Sequence, residues 1–124
     1  MPYTIQEISE IIAPIAEKYE LHAVYLFGSY ARGTASESSD IDLLIDTTGT
    51  NIKSLLDLAE VFCEFEEAFH KPIDLITVSS LEQPTQMPSE AHFKENVIRE
   101  RVKIYAVAWF TAYWAYPWLL HGNW

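Results

Sequence analysis

Residues 27–46 contain the side chains of this chain that best suit phosphate and metal chemistry. A Gly28-Ser29 turn is followed, after ten further residues, by Asp40 and Asp42. The turn supplies backbone N–H groups and a hydroxyl, which suit phosphate oxygens. The two carboxylates supply hard oxygen ligands at a spacing that suits magnesium. One segment therefore predicts both halves of a metal–triphosphate site.

A third carboxylate, that of Asp74, lies near the start of a later hydrophobic strand. If that strand pairs beside residues 40–46, Asp74 shares a sheet face with Asp40 and Asp42, because side chains i and i+2 point to the same side. Three carboxylates that hold two metal ions about 4 Å apart are the arrangement that in-line phosphoryl transfer uses. Taken alone, the pair is better explained as a solvated sheet face and Asp74 as a strand-end charge. The combination favours the metal site.

The placement of glycine supports the phosphate half of this site. Only four glycines occur in the chain, and Gly28 and Gly33 bracket Ser-Tyr-Ala-Arg. Gly28 lets the backbone turn sharply and approach a ligand closely. Arg32 can reach a triphosphate or the pyrophosphate that leaves it. The alternative for Arg32 is a surface salt bridge to Glu37 or Asp40.

Composition limits the classes of function. A chain of 124 residues is one domain with one core. Eighteen Asp and Glu against eight Lys and Arg give a net charge of −10, which argues against a nucleic-acid binder. This charge fits a basic partner or a nucleotide masked by Mg²⁺. Cys63 is the only cysteine, so we expect no disulfide framework and a reducing, cytoplasmic location, without a signal peptide.

An N-terminal helix and a strand precede the glycine-serine turn. Thr4 and Glu7 have the Thr-x-x-Glu form of a capping box, and apolar residues then recur at helical spacing. These features predict a helix over residues 4–19, with a kink or a break into two pieces at Pro14. We expect the strand at residues 22–27 to lead directly into the turn.

A second amphipathic helix is predicted over residues 51–69, with Asn51 as its cap. Its apolar stripe consists of Ile52, Leu55, Leu56, Ala59, Phe62, Phe65 and Phe69. The other predicted elements are a loop and short helix at 28–36, strands at 40–46 and 72–78, a loop at 79–90, and a helix at 90–105 with Val97, Ile98, Val102 and Tyr105 on its buried side. This order predicts an α/β (α+β) fold, a small mixed β-sheet with helices packed on one face.

Residues 1–105 are predicted to form this domain and residues 106–124 an aromatic-rich tail. All four tryptophans lie in the tail, and no Asp, Glu, Lys or Arg occurs from Ile104 onward. The aromatic cluster favours packing on the domain or contact within a homo-oligomer. A non-native sequence and contact with a membrane surface are the alternatives. A full membrane span is not expected, because Pro117 falls near the end of the uncharged run before His121.

The Gly28-Ser29 turn, the Asp40-Ile-Asp42 pair and Asp74 together resemble the DNA-polymerase-β-type nucleotidyltransferase superfamily. The likeness covers roughly residues 4–105 and is nearest to the minimal nucleotidyltransferases, the MntA-like antitoxins. The resemblance implies a palm-like fold and transfer of a nucleoside monophosphate, usually AMP from ATP, to a hydroxyl group. It also implies a partner, a HEPN-type ribonuclease toxin that is modified on a tyrosine.

The same resemblance implies a role for each motif residue. Gly28 and Ser29 hold the β- and γ-phosphates, with Arg32 as a further nucleotide-binding residue. The two aspartates of the pair bind both Mg²⁺ ions. Asp74 binds the ion beside the acceptor and takes its proton as general base. Two alternatives remain open: a non-enzymatic antitoxin that masks a basic partner, and a nucleotidyltransferase that acts on a small molecule such as an aminoglycoside.

Overall fold

The computed structural model describes residues 2–107. The roles predicted for the tail at 106–124 therefore fall, beyond its first two residues, outside the described residues. In chain order the elements are α1 (Ile5–Lys18), β1 (Ala23–Phe27), α2 (Gly28–Arg32), β2 (Ile41–Asp46), α3 (Leu55–Phe69), β3 (Ile73–Thr77), α4 (Val78–Leu81), α5 (Pro88–Glu100) and β4 (Val102–Ala106). Within the described residues no helix is both long and apolar enough to cross a membrane.

The four strands form one mixed sheet in the order β3-β2-β1-β4. β1 pairs antiparallel with both β2 and β4, whereas β2 and β3 run parallel. A parallel pair needs a crossover connection, and α3 provides it between β2 and β3. The mixed sheet predicted from the sequence is confirmed.

The larger core lies between the sheet and helices α1 and α3. Ile8 and Ile12 from α1 and Phe65 from α3 pack with Leu26 of β1 and Leu43 of β2, and all five are fully buried. Burial of these side chains removes apolar surface from water, which is the main stabilising term of such a fold. This layer is the helical cover that the sequence predicts for one face of the sheet, although a helix also packs on the other face.

The first helix begins as predicted but does not break. Thr4 and Glu7 form a complete capping box, with the Glu7 N–H donating to Thr4 Oγ1 at 3.0 Å. Of the two predicted effects of Pro14, a kink or a break, the break is wrong, since α1 continues through the proline. Ile12 and Ala16, on either side of the proline, are fully buried, and their packing keeps the helix continuous.

The opposite face of the sheet also receives a helix. Val97 of α5 packs against Phe27 of β1 and Leu44 of β2 in a second, smaller cluster. The ring of Phe93, one turn earlier in α5, meets Phe27 edge to face. α5 therefore borders the sheet face on which the aspartates lie.

The start of the second long helix differs from the prediction. Ser54, not Asn51, caps α3, in a capping box with Asp57. Leu55 and Leu56 are 83% and 79% exposed, so they do not belong to the buried stripe. The buried residues of α3 are Val61, Phe65 and Phe69. The hydrogen bonds between Ser54 and Asp57 fix the start of α3 at Leu55. The apolar periodicity alone had placed this start at residue 51.

The helix predicted over 90–105 ends at Glu100, and its last residues form β4 instead. Ile98 is 52% exposed, while Tyr105 is buried on a strand rather than on a helix. Pairing with β1 supplies hydrogen-bond partners for the backbone N–H and C=O groups of Val102–Ala106, so these residues continue the sheet instead of the helix. The β-branched and aromatic content of this segment is the sequence signal for a strand.

The loop predicted over 79–90 is shorter than expected. α4 begins at Val78, and Thr77 caps it by accepting from the Ser80 N–H at 3.2 Å. α5 begins at Pro88, which suits the first turn of a helix because the missing N–H has no helical partner there.

Candidate active site

The sheet brings Asp42 and Asp74 side by side. They are register partners on the parallel strands β2 and β3. The neighbours of Asp42 along β2, Ile41 and Leu43, point into the core beneath α1 and α3. Because side chains alternate along a strand, the two aspartates lie on the opposite face, bordered by α5. Asp42 is half-buried and Asp74 is exposed, so the pair has one inner and one outer carboxylate.

The inner carboxylate has an altered acidity. Burial raises the pKa of Asp42 from 3.8 to about 6, with further contributions from its hydrogen bond to Asp74 and from the charges of Asp74 and Asp40. The guanidinium of Arg32 opposes the shift in the pKa. Two adjacent carboxylates cannot both ionise cheaply unless a cation lies between them. Below about pH 6 Asp42 therefore holds a proton, and above that pH the pair attracts a positive charge.

Gly28 places backbone directly against this carboxylate. It is the first residue of α2 and has a φ of +71°. A Cβ built on Gly28 would lie 2.0 Å from Oδ2 of Asp42 and 3.0 Å from its Cγ. Only glycine permits both the backbone conformation and the contact. Ser29 follows in the same turn and is half-buried.

Arg32 at the end of α2 is paired across to α5. Its Nη1 lies 3.0 Å from Oε2 of Glu100, with side chains that are 50% and 28% exposed. The surface alternative named Glu37 or Asp40 as partner, and the structure shows Glu100 instead. Arg32 and Glu100 both line a cleft that also includes Asp42 and Asp74.

Asp40 lies outside the register pair that Asp42 and Asp74 form. It is exposed and precedes β2, and it contributes to the electrostatic field at Asp42. Among residues 2–107, no group of three or more His, Cys, Asp or Glu side chains is placed so that it could hold a metal ion. The structure thus pairs Asp42 with Asp74, and Asp40 lies near enough to contribute to the raised pKa of Asp42. The donor set fits Mg²⁺ chemically, since the carboxylates are hard ligands whose mutual repulsion a cation would relieve.

The cleft beside the aspartates has a volume of about 420 Å³. Its polar lining includes the predicted residues Gly28, Arg32, Asp42 and Asp74. The other lining residues were not predicted from the sequence as site residues. These are Phe27, Leu75, Ile76, Phe93, Asn96, Val97 and Glu100. The spacing of Phe93 and Val97, four residues apart on one helix face, was the signal that could have found this wall.

Comparison with known proteins fits this geometry. Residues 10–106 match the family described as "Polymerase beta, Nucleotidyltransferase". The chain belongs to this family. Within it, the "Protein adenylyltransferase MntA" of Thermococcus cleftensis is 35% identical over 82 residues, which are 63% of this chain and 81% of the relative. The chain is therefore a nucleotidyltransferase that resembles the MntA branch.

Two solved structures share the fold of this chain. A toxin–antitoxin complex with AMP-PNP superposes with a TM-score of 0.61 at 18% identity, covering 91% of this chain and 85% of the other. A complex of a tri-AMPylated HEPN toxin with its MNT antitoxin from Shewanella oneidensis superposes with a TM-score of 0.58 at 16% identity, covering 95% and 86%. At these identities the likeness concerns the fold.

Proposed function

We propose that this chain transfers AMP from ATP to a tyrosine hydroxyl of a HEPN-type toxin and thereby acts as its antitoxin. The observation that carries the proposal is the Asp42–Asp74 pair with the Gly28 backbone against it. The name of the relative from Thermococcus cleftensis and the AMPylated toxin in the Shewanella oneidensis complex support the choice of substrate and partner.

In the proposed reaction, the acceptor oxygen forms a bond to the α-phosphorus of ATP. The bond from that phosphorus to the oxygen bridging to the β-phosphate breaks, and pyrophosphate leaves with the bonding electrons. Asp74 accepts the proton of the hydroxyl, a role that requires a separation of about 3 Å. Asp74 is exposed, so a hydroxyl on another protein has access to it.

The remaining motif residues bind the nucleotide in this proposal. Gly28 and Ser29 hold the β- and γ-phosphates, and Arg32 exchanges Glu100 for a phosphate oxygen. Asp40, Asp42 and Asp74 are the residues that would hold two Mg²⁺ ions. Bound Mg²⁺ supplies neutralisation of the charge that develops on the triphosphate.

The size of the cleft favours an acceptor from a second molecule. A volume of about 420 Å³ lies near the lower end of the range for small-ligand sites, about 300–1,000 Å³. A nucleotide fills most of such a space, so the acceptor must reach the α-phosphate from the open side. A net charge of −10 also suits a basic protein surface as partner.

The proposal is tested with a purified HEPN-type toxin, Mg²⁺ and ATP, followed by intact-mass analysis of the toxin. We expect the mass of the toxin to increase by one or more AMP groups, with the modification on tyrosine. The double variant Asp40→Asn, Asp42→Asn should still bind the toxin but fail to neutralise it. If this variant neutralises the toxin as well as the wild type does, the chain acts by binding alone and the proposal fails.

A further inference from the structure

One wall of the cleft is apolar and includes Phe27, Phe93 and Val97. This wall has no role in the phosphate chemistry described so far. We propose that Phe93 and Asn96 of α5 form a subsite for the nucleobase of the bound triphosphate, with a purine preferred. The inference rests on the proposed function, because it assigns the base-binding part of the same cleft.

Phe93 has the geometry of a stacking platform. Its side chain is 49% exposed although it lines a cleft. The ring is fixed by an edge-to-face contact with Phe27, at a centroid distance of 6.3 Å and an interplanar angle of 84°. Phe27 itself is only 7% exposed, so it forms a rigid support. A base that stacks on Phe93 covers an aromatic surface that water otherwise contacts.

Asn96 adds a polar group at the matching position. It lies three residues after Phe93 and therefore on the same side of α5. Its Oδ1 accepts a hydrogen bond from Nη2 of Arg99 at 2.5 Å. Within residues 2–107, Nδ2 of Asn96 has no hydrogen-bond partner, so its N–H groups are available to the cleft. Purines and pyrimidines both have atoms that accept such a bond, and the preference for a purine comes from its larger face, which gains more from stacking.

The same cleft joins this wall to the phosphate-binding residues. Phe93 and Asn96 line it together with Gly28, Arg32 and Asp42. A nucleotide needs a polar surface for its phosphates and an apolar surface for its base, and both are present here. An acceptor tyrosine ring is the other occupant to consider, because Asp74 lines the same cleft, and the test below separates the two occupants.

The test compares the binding of ATP, CTP and inorganic tripolyphosphate by calorimetry, with Mg²⁺ present. Tripolyphosphate carries the phosphates without a base. We expect Phe93→Ala to weaken the binding of ATP about tenfold, while the binding of tripolyphosphate stays within about twofold. The same variant should reduce the preference for ATP over CTP, and Asn96→Ala should weaken the binding of ATP severalfold without affecting that of tripolyphosphate. Ile98→Ala is the matched control, since Ile98 is an exposed apolar residue of the same helix outside the cleft.

The possible outcomes separate the two proposals. If the wild type binds neither ATP nor tripolyphosphate, the proposed function fails and the subsite with it. If the wild type binds ATP but Phe93→Ala binds it equally well, the base lies elsewhere and only the subsite is overturned. The same holds if Phe93→Ala affects only the KM for the acceptor protein, which would place the tyrosine ring on this wall. Circular dichroism melting checks that each variant is folded.

Discussion

The carboxylate of Asp42 occupies the space that a side chain on Gly28 would need. The distance from an ideal Cβ on Gly28 to Oδ2 of Asp42 is 2.0 Å, which is far below any van der Waals contact. The turn before α2 and the strand β2 are therefore fitted to each other at this point. Glycine at position 28 therefore leaves room for the Asp42 carboxylate, in addition to letting a phosphate approach the backbone.

Gly28→Ala is expected to abolish nucleotidyl transfer and to lower the stability of the fold. The methyl group must displace Asp42, and the backbone at φ +71° adds strain of about 1 kcal/mol. Gly33→Ala is the matched control, since Gly33 has a φ of +77° with no atom within 4 Å of its Cβ position. Gly33→Ala should unfold at a lower urea concentration than the wild type, because of the strain, but it should keep most of the transfer activity. Equal activity of the two variants would contradict this account.

The raised pKa of Asp42 predicts a pH-dependent stability difference from Asp42→Asn. The folded-state pKa of about 6 lies above the unfolded value of 3.8, so folding takes up a proton between these pH values. This stabilising contribution is complete below about pH 4 and is lost as the pH rises through 6. We therefore compare the Tm of Asp42→Asn with that of the wild type in EDTA. The difference, variant minus wild type, should increase by a few degrees from pH 4 to pH 7. Adding Mg²⁺ should raise only the wild-type Tm.

The pair of Arg32 and Glu100 predicts competition between a carboxylate and the nucleotide. Because Glu100 already neutralises Arg32 at 3.0 Å, ATP must replace this contact. Glu100→Gln should therefore tighten the binding of ATP about two- to fivefold, and Arg32→Ala should weaken it. Both changes should alter the free energy of unfolding by less than about 1 kcal/mol, as expected for a partly exposed ion pair. Weaker ATP binding by Glu100→Gln would show that Glu100 assists the ligand instead.

The corrected start of α3 is testable by unfolding. Ser54 accepts a hydrogen bond from the Asp57 N–H at 3.2 Å, so Ser54→Ala should cost about 1 kcal/mol. Asn51 is exposed and lies before the helix, and Asn51→Ala should change stability by less than about 0.5 kcal/mol. Urea midpoints compare the two variants directly, and a larger loss for Asn51→Ala would favour the cap predicted from the sequence.

Local signals predicted the elements that carry the motif. The capping box at Thr4 and the alternation around Asp42 involve neighbours in the sequence. The first helix and the strands β1, β2 and β3 agree with the prediction within a few residues. The prediction that Asp74 lies beside Asp42 succeeded because both aspartates interrupt short apolar strands at the same point. Because side chains alternate along a strand, the position of a residue within its strand decides on which face of the sheet it lies.

The features that were missed depend on contacts distant in sequence. The local sequence of residues 102–106 allows a strand, but the edge of β1 with which β4 pairs lies about 80 residues earlier in the chain and decides the outcome. The wall formed by Phe93 and Asn96 lies beside Asp42 only after α5 folds onto the second face of the sheet. Likewise, the partner of Arg32 is 68 residues away at Glu100, beyond any local pattern.

The most direct test of the central claim is the single-turnover rate of AMP transfer from α-labelled ATP to the toxin. The Asp42–Asp74 pair is the group on which the proposed chemistry depends. We predict that Asp42→Asn and Asp74→Asn each reduce this rate by about a thousandfold. Asp46→Asn, on the same strand and face but bonded to Thr48, should stay within about twofold of the wild type. Transfer by Asp42→Asn at a rate comparable to that of Asp46→Asn would contradict the account.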